Sequence, residues 1–380
     1  MLRLVSFVTA CLLAAPLVGQ ANPAADSDAF FNSGKVIKID ITIDKTEMDK
    51  LRHEPRKYAS CTLTSDGKTY KNVGIHLKGA AGSYRGLDDK PGLTLNMNKH
   101  GVQQLFHGMD KWHLANSVQD GTWVHELICG ELFRAAGVPA SRIGHALVTI
   151  NGKMKGLYYL KEGYDKQFRR RHFENPTGNF YDGGFLRDID QPLQLLSGSK
   201  GDVANHADLK ALVKACQERD RNERFKKVEK LLDMDKFISY LVLESLCCDW
   251  DGYPANRNNY RVYHDPKKDK IIFIPSGMDQ MFNEPRMGLY QGYNGMVARA
   301  VMESEEGKKR YHARMHEILR DVFKPQVIGK RLDALEKELT AALQTYDPGT
   351  ARDYKNRIRD LKNRIDTRAK HVEAELKKLK

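Results

Sequence analysis

The hydrophobic period of this chain changes near residue 160. Before it, apolar side chains recur mostly at every second position, as in Val36-Ile37-Lys38-Ile39-Asp40-Ile41-Thr42-Ile43, the spacing of a strand with one buried face. Cys61 to Thr64 and Val73 to Leu77 flank a turn at Asp66-Gly67, and Leu93 to Met97 alternates again. Ala146 to Ile150 and Leu157 to Leu160 flank Asn151-Gly152, a strong hairpin turn pair. A helix is predicted from Trp123 to Ala136, stopped by Gly137 and Pro139, and a second starts at Asp44. After about Tyr164 the spacing becomes helical: Leu209 to Cys216, Phe225 to Leu232, Asp235 to Cys248 and most of the chain from Met296 on. One further hairpin interrupts these helices, Tyr260 to Tyr263 and Ile271 to Ile274 around Asp265-Pro266. The class is α+β, with no internal repeat. Tyr354, Ile358, Leu361, Ile365, Ala369, Val372, Leu376 and Leu379 form a terminal seam. It packs on the body of the protein or, alternatively, pairs two copies.

The first 21 residues read as an export signal. Arg3 precedes the apolar run Leu4 to Val18, and Gly19-Gln20-Ala21 supplies small residues for cleavage. The run is short for a membrane span, so no stable span is expected. Residues 22–32 are small and polar and read as a linker. Of six cysteines, Cys11 lies in the signal, leaving five, an odd number that cannot pair completely. A net charge of +13 favours anionic partners such as nucleotides or acidic polymers.

There is no GxxxxGK[ST] loop, HExxH, GxSxG or paired CxxC in the chain, which removes the commonest nucleotide, zinc and hydrolase signatures. The informative stretch is Asp249 to Tyr260, where a helix ends and a hairpin begins. It holds Asp249, Asp251, Asn256, Asn258 and Asn259, hard oxygen donors of the kind that suit magnesium or manganese. Asp251 and Asn256 are spaced five apart, like the Asp and Asn of a protein-kinase catalytic loop. Taken alone, the same residues would also make an ordinary turn. Asp279 follows the strand Ile271 to Ile274, where a kinase site carries its metal-binding Asp or where a strand merely ends.

Taken in order, these segments resemble the spore-coat protein H (CotH) kinase-like family. Ala136 to Ala140 is similar to its GVPAP turn, Asn151 to Glu162 to its NGeyyGlYxlxE hairpin, Asp251 to Tyr263 to its D…NNYYLY segment, and Pro275 to Phe282 to its PWDLDxxF segment. The resemblance implies an atypical protein-kinase-like, two-lobed fold: a strand-rich lobe over 33–160 and a mainly helical lobe over 161–380. It implies an exported protein (secreted, periplasmic or in the envelope) that uses ATP with Mg2+ or Mn2+ to phosphorylate protein hydroxyls. A nucleotide and a protein acceptor are the expected partners, and nucleic acid is not. Asp251 would be the catalytic carboxylate, with Asp249 its rival. Asp279 would be the main metal ligand, assisted by Asn256 or Asn259. Ile75 to Ser83 resembles VRIKGNSS, so Gly79 and Ser83 could approach phosphate, with Lys78 and Lys90 as phosphate contacts and Glu162 as the ion-pair partner of a lysine.

In one segment the chain departs from the family pattern. Ser276 and Gly277 stand where the pattern has Trp and its first Asp, while Asp279 matches the second. A non-catalytic, binding or structural member is therefore the alternative reading. A basic envelope protein that binds anionic polymers is a third, resting on charge alone.

Overall fold

A computed structural model describes residues 22–198 and 206–379; the export segment lies outside the described residues. Seven strands close into a barrel. They are β1 (Val36–Thr42), β2 (Ala59–Ser65), β3 (Lys68–Lys78), β4 (Gly92–Asn96), β5 (Lys111–Ala115), β6 (Ile143–Ile150) and β7 (Lys153–Glu162), in the order β1-β2-β3-β4-β5-β7-β6. Neighbours are antiparallel except at the seam, where β1 runs parallel to β6 with Val36 opposite His145. The alternating side chains of β1 and β2 fill the interior with Ile39, Ile41 and Leu63. Both sequence-read turns adopt positive φ at their two central residues, Asp66-Gly67 and Asn151-Gly152, the backbone a tight hairpin needs.

Residues 22–32 correct the sequence reading. They form a helix, α1 (Pro23–Asn32), rather than a linker. Asn22 caps it through its side-chain oxygen, Pro23 sits in the first turn, and Phe30 and Phe31 are buried. Phe30 stacks on His107 at 4.3 Å, and the Arg142 guanidinium lies 4.5 Å over Phe31. Two adjacent aromatics thus anchor a segment whose remaining residues look like solvent-exposed linker.

Helix α2 (Lys45–His53) connects β1 to β2, and α3 (His125–Ala135) starts two residues after Trp123, which has φ +54°. Beyond the barrel lie α4 (Lys166–His172), β8 (Phe180–Asp182), β9 (Gln194–Ser197), α5 (Ala207–Cys216), α6 (Arg221–Leu231), α7 (Met234–Leu246), the short α8 (Tyr253–Asn256), β10 (Tyr260–Asp265) and β11 (Lys270–Pro275). The second sheet runs β11-β10-β8-β9. Four helices finish the chain: α9 (Met296–Met302), α10 (Glu305–Asp321), α11 (Pro325–Gln344) and α12 (Pro348–Lys378). One continuous apolar core joins α3, α7, the second sheet and these last helices.

The terminal seam packs on the body. Tyr354, Ile358, Leu361, Ile365, Ala369, Val372 and Leu376 are buried, while Leu379 is exposed. The Tyr354 hydroxyl donates to the Thr122 carbonyl at 2.5 Å, and Arg368, fully buried, donates to the Ser245 carbonyl at 2.8 Å. All five cysteines among the described residues are buried thiols. No helix among the described residues is long and apolar enough to cross a membrane.

Candidate functional site

Between the barrel and the second sheet opens a cleft of about 410 Å³. Each wall delivers its polar groups from the end of an element. The barrel contributes Lys78 at the end of β3, the Gly79–Ser83 loop, and Lys161 near the end of β7. Helix α3 contributes Glu126. The second sheet contributes Asp182, Arg261 and, just past β11, Asp279; Asp251, Asn258 and Asn259 come from the stretch between α7 and β10.

At the back of the cleft the Lys161 ammonium and the Glu126 carboxylate form a buried ion pair. Burial alone would lower Lys161, but Glu126 outweighs it and the ammonium is raised above the usual lysine range. Removing either partner would leave a buried, uncompensated charge. Asp120 fixes the start of α3: its carboxylate accepts the Thr122, Val124 and His125 backbone N–H groups at 2.8–3.1 Å, and the Tyr159 hydroxyl donates to it. His125 Nδ1 in turn lies 3.0 Å from the Asp279 carbonyl. One buried carboxylate therefore sets both the helix that carries Glu126 and a contact to the segment that carries Asp279.

Asp279 is held in the neutral-leaning state by its surroundings. Burial first, then the nearby Glu126 and Asp120 charges, push its carboxyl up to about 7. A carboxyl in that position is stabilised as an anion by an incoming cation. Asp251 is half-buried, and desolvation raises it as well. Its Oδ2 accepts the side-chain amides of Asn258 at 2.9 Å and Asn259 at 3.0 Å, which fixes the carboxylate plane.

Gly277 has φ +66°, and a Cβ there would stand 2.5 Å from Asn259 Oδ1. Glycine is therefore what the backbone at this turn and the neighbouring Asn259 require. Two oxygen donors of the kind that suit a hard cation line the same cleft, the Asp279 carboxylate and the Asn259 side-chain oxygen. No group of three or more His, Cys, Asp or Glu side chains among the described residues forms an all-protein metal cage. Magnesium commonly binds through one or two protein carboxylates plus phosphate oxygens.

Lys78, Gly79, Ser83, Asp251, Asn259 and Asp279 thus meet in one cleft. Burial first, then Lys161, lowers the Lys78 ammonium to about 8. Gly79 has φ +116°, and Ser83 Oγ accepts the Ala80 N–H at 3.2 Å, so the loop between them is preformed.

Four sequence-read residues lie elsewhere. Asp249 is buried behind the loop, beside Glu244; its Oδ1 accepts the Asp251 N–H at 3.0 Å, and burial raises its carboxyl to about 6. Asn256 donates its amide to the Trp250 carbonyl at 2.8 Å, closing the turn instead of facing the cleft. Lys90 lies over the rings of Tyr158 and Trp123, at 5.1 and 5.6 Å. There it makes cation–π contacts. Glu162 is buried on the opposite strand face from Lys161 and pairs with Arg142 and Arg171 rather than with a lysine. The residues missed from sequence are Glu126, Lys161 and Arg261, while Asn258 stood in the informative stretch without an assigned role. Strand alternation held the signal for Lys161: Tyr158 and Leu160 belong to the barrel core and Tyr159 to the outer core, so Lys161 shares the Tyr159 face.

The family model described as CotH kinase protein matches residues 75–372. The chain is 22% identical over 336 residues to Invasin CotH2 of Rhizopus delemar, covering 79% of this chain and 56% of that protein. It is 25% identical over 266 residues to Invasin CotH3 of the same organism, covering 63% and 42%. To the inner spore coat protein H of Bacillus subtilis it is 21% identical over 259 residues, covering 62% and 69%. The chain spans about half the length of the invasins it matches. Among solved structures it is similar to the Helicobacter pylori proinflammatory kinase CtkA, with 9% identity and a TM-score of 0.34 over 78% of this chain and 96% of that one.

Proposed function

The chain belongs to the CotH kinase family, whose model spans residues 75–372, and from that premise we propose that the cleft binds ATP with Mg2+ or Mn2+ and transfers the γ-phosphoryl group to a serine or threonine hydroxyl of a protein. One observation carries the reading: a buried lysine–glutamate pair, Lys161 with Glu126, shares a cleft with two carboxylates, Asp251 and Asp279. Protein kinases use this division of labour, with a strand lysine paired to a helix glutamate, a base in the catalytic loop and a metal-binding Asp after a hairpin. In this reading the barrel with α3 is the smaller lobe, and the helices with the second sheet form the larger.

Lys161 and Lys78 hold the phosphates. The backbone of Gly79 to Ser83 approaches them from above. Asp251, its plane set by Asn258 and Asn259, orients the acceptor hydroxyl and takes its proton. As the acceptor oxygen bonds to the γ-phosphorus, the bond to the β–γ bridging oxygen breaks and ADP leaves with the electron pair. Asp279 and Asn259 would hold the metal, which would supply charge neutralisation on the phosphates. Positioning and charge neutralisation supply most of the acceleration. We read the protein as exported. The N-terminal signal pattern supports this, and so do relatives named as spore-coat proteins and invasins.

The test uses γ-labelled ATP, either metal and a serine-rich acceptor, with Asp279→Ala in parallel. Metal-dependent label that disappears in the variant is the expected result. Equal label in the variant would sink the assignment. Gly277 favours a second reading, because this turn offers one carboxylate where the family pattern has two: a protein that binds nucleotide without turnover. A metal-dependent thermal shift with ATP, but no label, would select it.

A further inference from the structure

A third cation faces the cleft, and nothing above uses it. Arg261 projects from β10 with its side chain 20% exposed. It is fixed on three sides. Nη1 pairs with Asp182 at 3.0 Å and donates to the Tyr260 carbonyl at 2.8 Å, while the guanidinium lies 5.6 Å from the centre of the Tyr164 ring. The Tyr164 hydroxyl donates to the Pro275 carbonyl at 2.9 Å, tying that ring to the end of β11. Arg261 Nε is buried with no hydrogen-bond partner among the described residues. A guanidinium locked in place at the wall of the cleft that it lines is prepared for a ligand that carries negative charge.

The neighbours sharpen this. Arg261 bears electrostatically on both Lys78 and Lys161, so three cations crowd one half-buried space. Glu126 offsets Lys161 and Asp182 offsets Arg261. The metal corner is correspondingly poor in charge. Asp279 stands without a carboxylate at Gly277, and the described residues contain no three-ligand cage of His, Cys, Asp or Glu. Ordinary protein kinases neutralise the phosphates with two metal ions, whereas some nucleotide hydrolases place an arginine in the same chain against the transferring phosphate.

We propose that Arg261 contacts the terminal phosphate of the bound nucleotide and supplies, as a built-in cation, the neutralisation that a second metal ion supplies in ordinary kinases. The proposal rests on the nucleotide reading of the cleft and adds a residue and a metal count to it. It makes ATP recognition partly independent of metal, and it makes discrimination of ATP from ADP depend on Arg261.

The experiment is calorimetric binding of ATP and ADP to the full chain, with excess magnesium and with chelator, for the parent protein, Arg261→Gln and Arg261→Lys. Far-ultraviolet melts establish that each variant folds. In the parent, ATP binding should persist in chelator and exceed ADP binding. Arg261→Gln should weaken ATP about ten- to hundred-fold, the loss expected for a charged hydrogen bond, and leave ADP within about two-fold. Arg261→Lys should recover part of the loss. Equal losses for ATP and ADP, or none for either, would overturn the proposal and leave Arg261 as a partner of Asp182 only. A parent protein that binds neither nucleotide under either condition would remove the nucleotide reading itself, a different failure from an unchanged ATP-to-ADP ratio.

Discussion

In the proposed reading Asp279 is a metal ligand, which would tie metal binding to pH. Its carboxyl titrates at about 7, and a metal ligand must be deprotonated to bind. Below that value each unit fall in pH should weaken magnesium about ten-fold, and above it the affinity should level off; titrating the metal-dependent thermal shift from pH 5.5 to 8.5 checks this. At the back of the cleft, Lys161→Met alone or Glu126→Leu alone should destabilise the fold by about 3–5 kcal/mol, the cost of stranding a buried charge. The double replacement should recover most of the stability but none of the ATP binding, which separates folding from function by melts and calorimetry. At this scale the sequence was partly legible. Asp251 and Asp279 stand at element ends, where polar residues interrupt apolar runs. Glu162 was read as the ion-pair partner of a lysine, yet on a strand a one-residue step changes the face, and it is the adjacent Lys161 that lines the cleft. Asn256 was read, as an alternative to Asn259, from its spacing to Asp251, but α8 turns its amide back to Trp250.

Among the elements, the turn after β11 shows why a departure from a pattern need not be a gap to refill. With φ +66° and Asn259 Oδ1 in the way, Gly277→Asp should cost about 1–2 kcal/mol in backbone strain. It should also displace Asn259 and lower metal affinity rather than raise it, as paired melts with and without magnesium would reveal. On α12, Ile358 is fully buried against the body; Ile358→Ala should cost about 2–5 kcal/mol, read as a shift of the urea midpoint. The hairpins and long helices were plain in the sequence, because Asp66-Gly67 and Asn151-Gly152 have one good use and the seam of α12 repeats many times. Closure of the barrel was not, since it depends on a parallel pairing of β1 with β6 that no local pattern encodes. Nor was α1, whose two phenylalanines are too few to make a period.

For the whole molecule, buried ionisable groups set opposing pH windows. His145 and His172 are lowered by burial to about 4 and about 3, so between those values and about 6.5 the unfolded chain binds the extra protons and stability rises with pH. Asp249, Asp279 and Asp165 are raised by burial to about 6, about 7 and about 8. The folded state therefore holds their protons longer, and stability is lost as pH rises through those values. The loss begins at about pH 4, where unfolded carboxyls titrate, so below about pH 6 the three carboxyls oppose and outweigh the two histidines. Above about 6.5 the histidines no longer contribute, and the melting temperature without metal should fall further toward about pH 8. Asp165→Asn should flatten that fall, as scans across the range would register; an unaltered slope would exclude Asp165 as its source. The barrel seam has a different consequence, in time rather than in energy. Residues 36–41 pair with residues 145–150, so the first strand waits for more than a hundred later residues before its open edge is covered. Local hairpins can form early, but ring closure is a long-range step and hence slow. Until then two bare strand edges are available to other chains. A chaperone that shields an edge should raise the yield of refolded protein more than one that only prevents helix collapse.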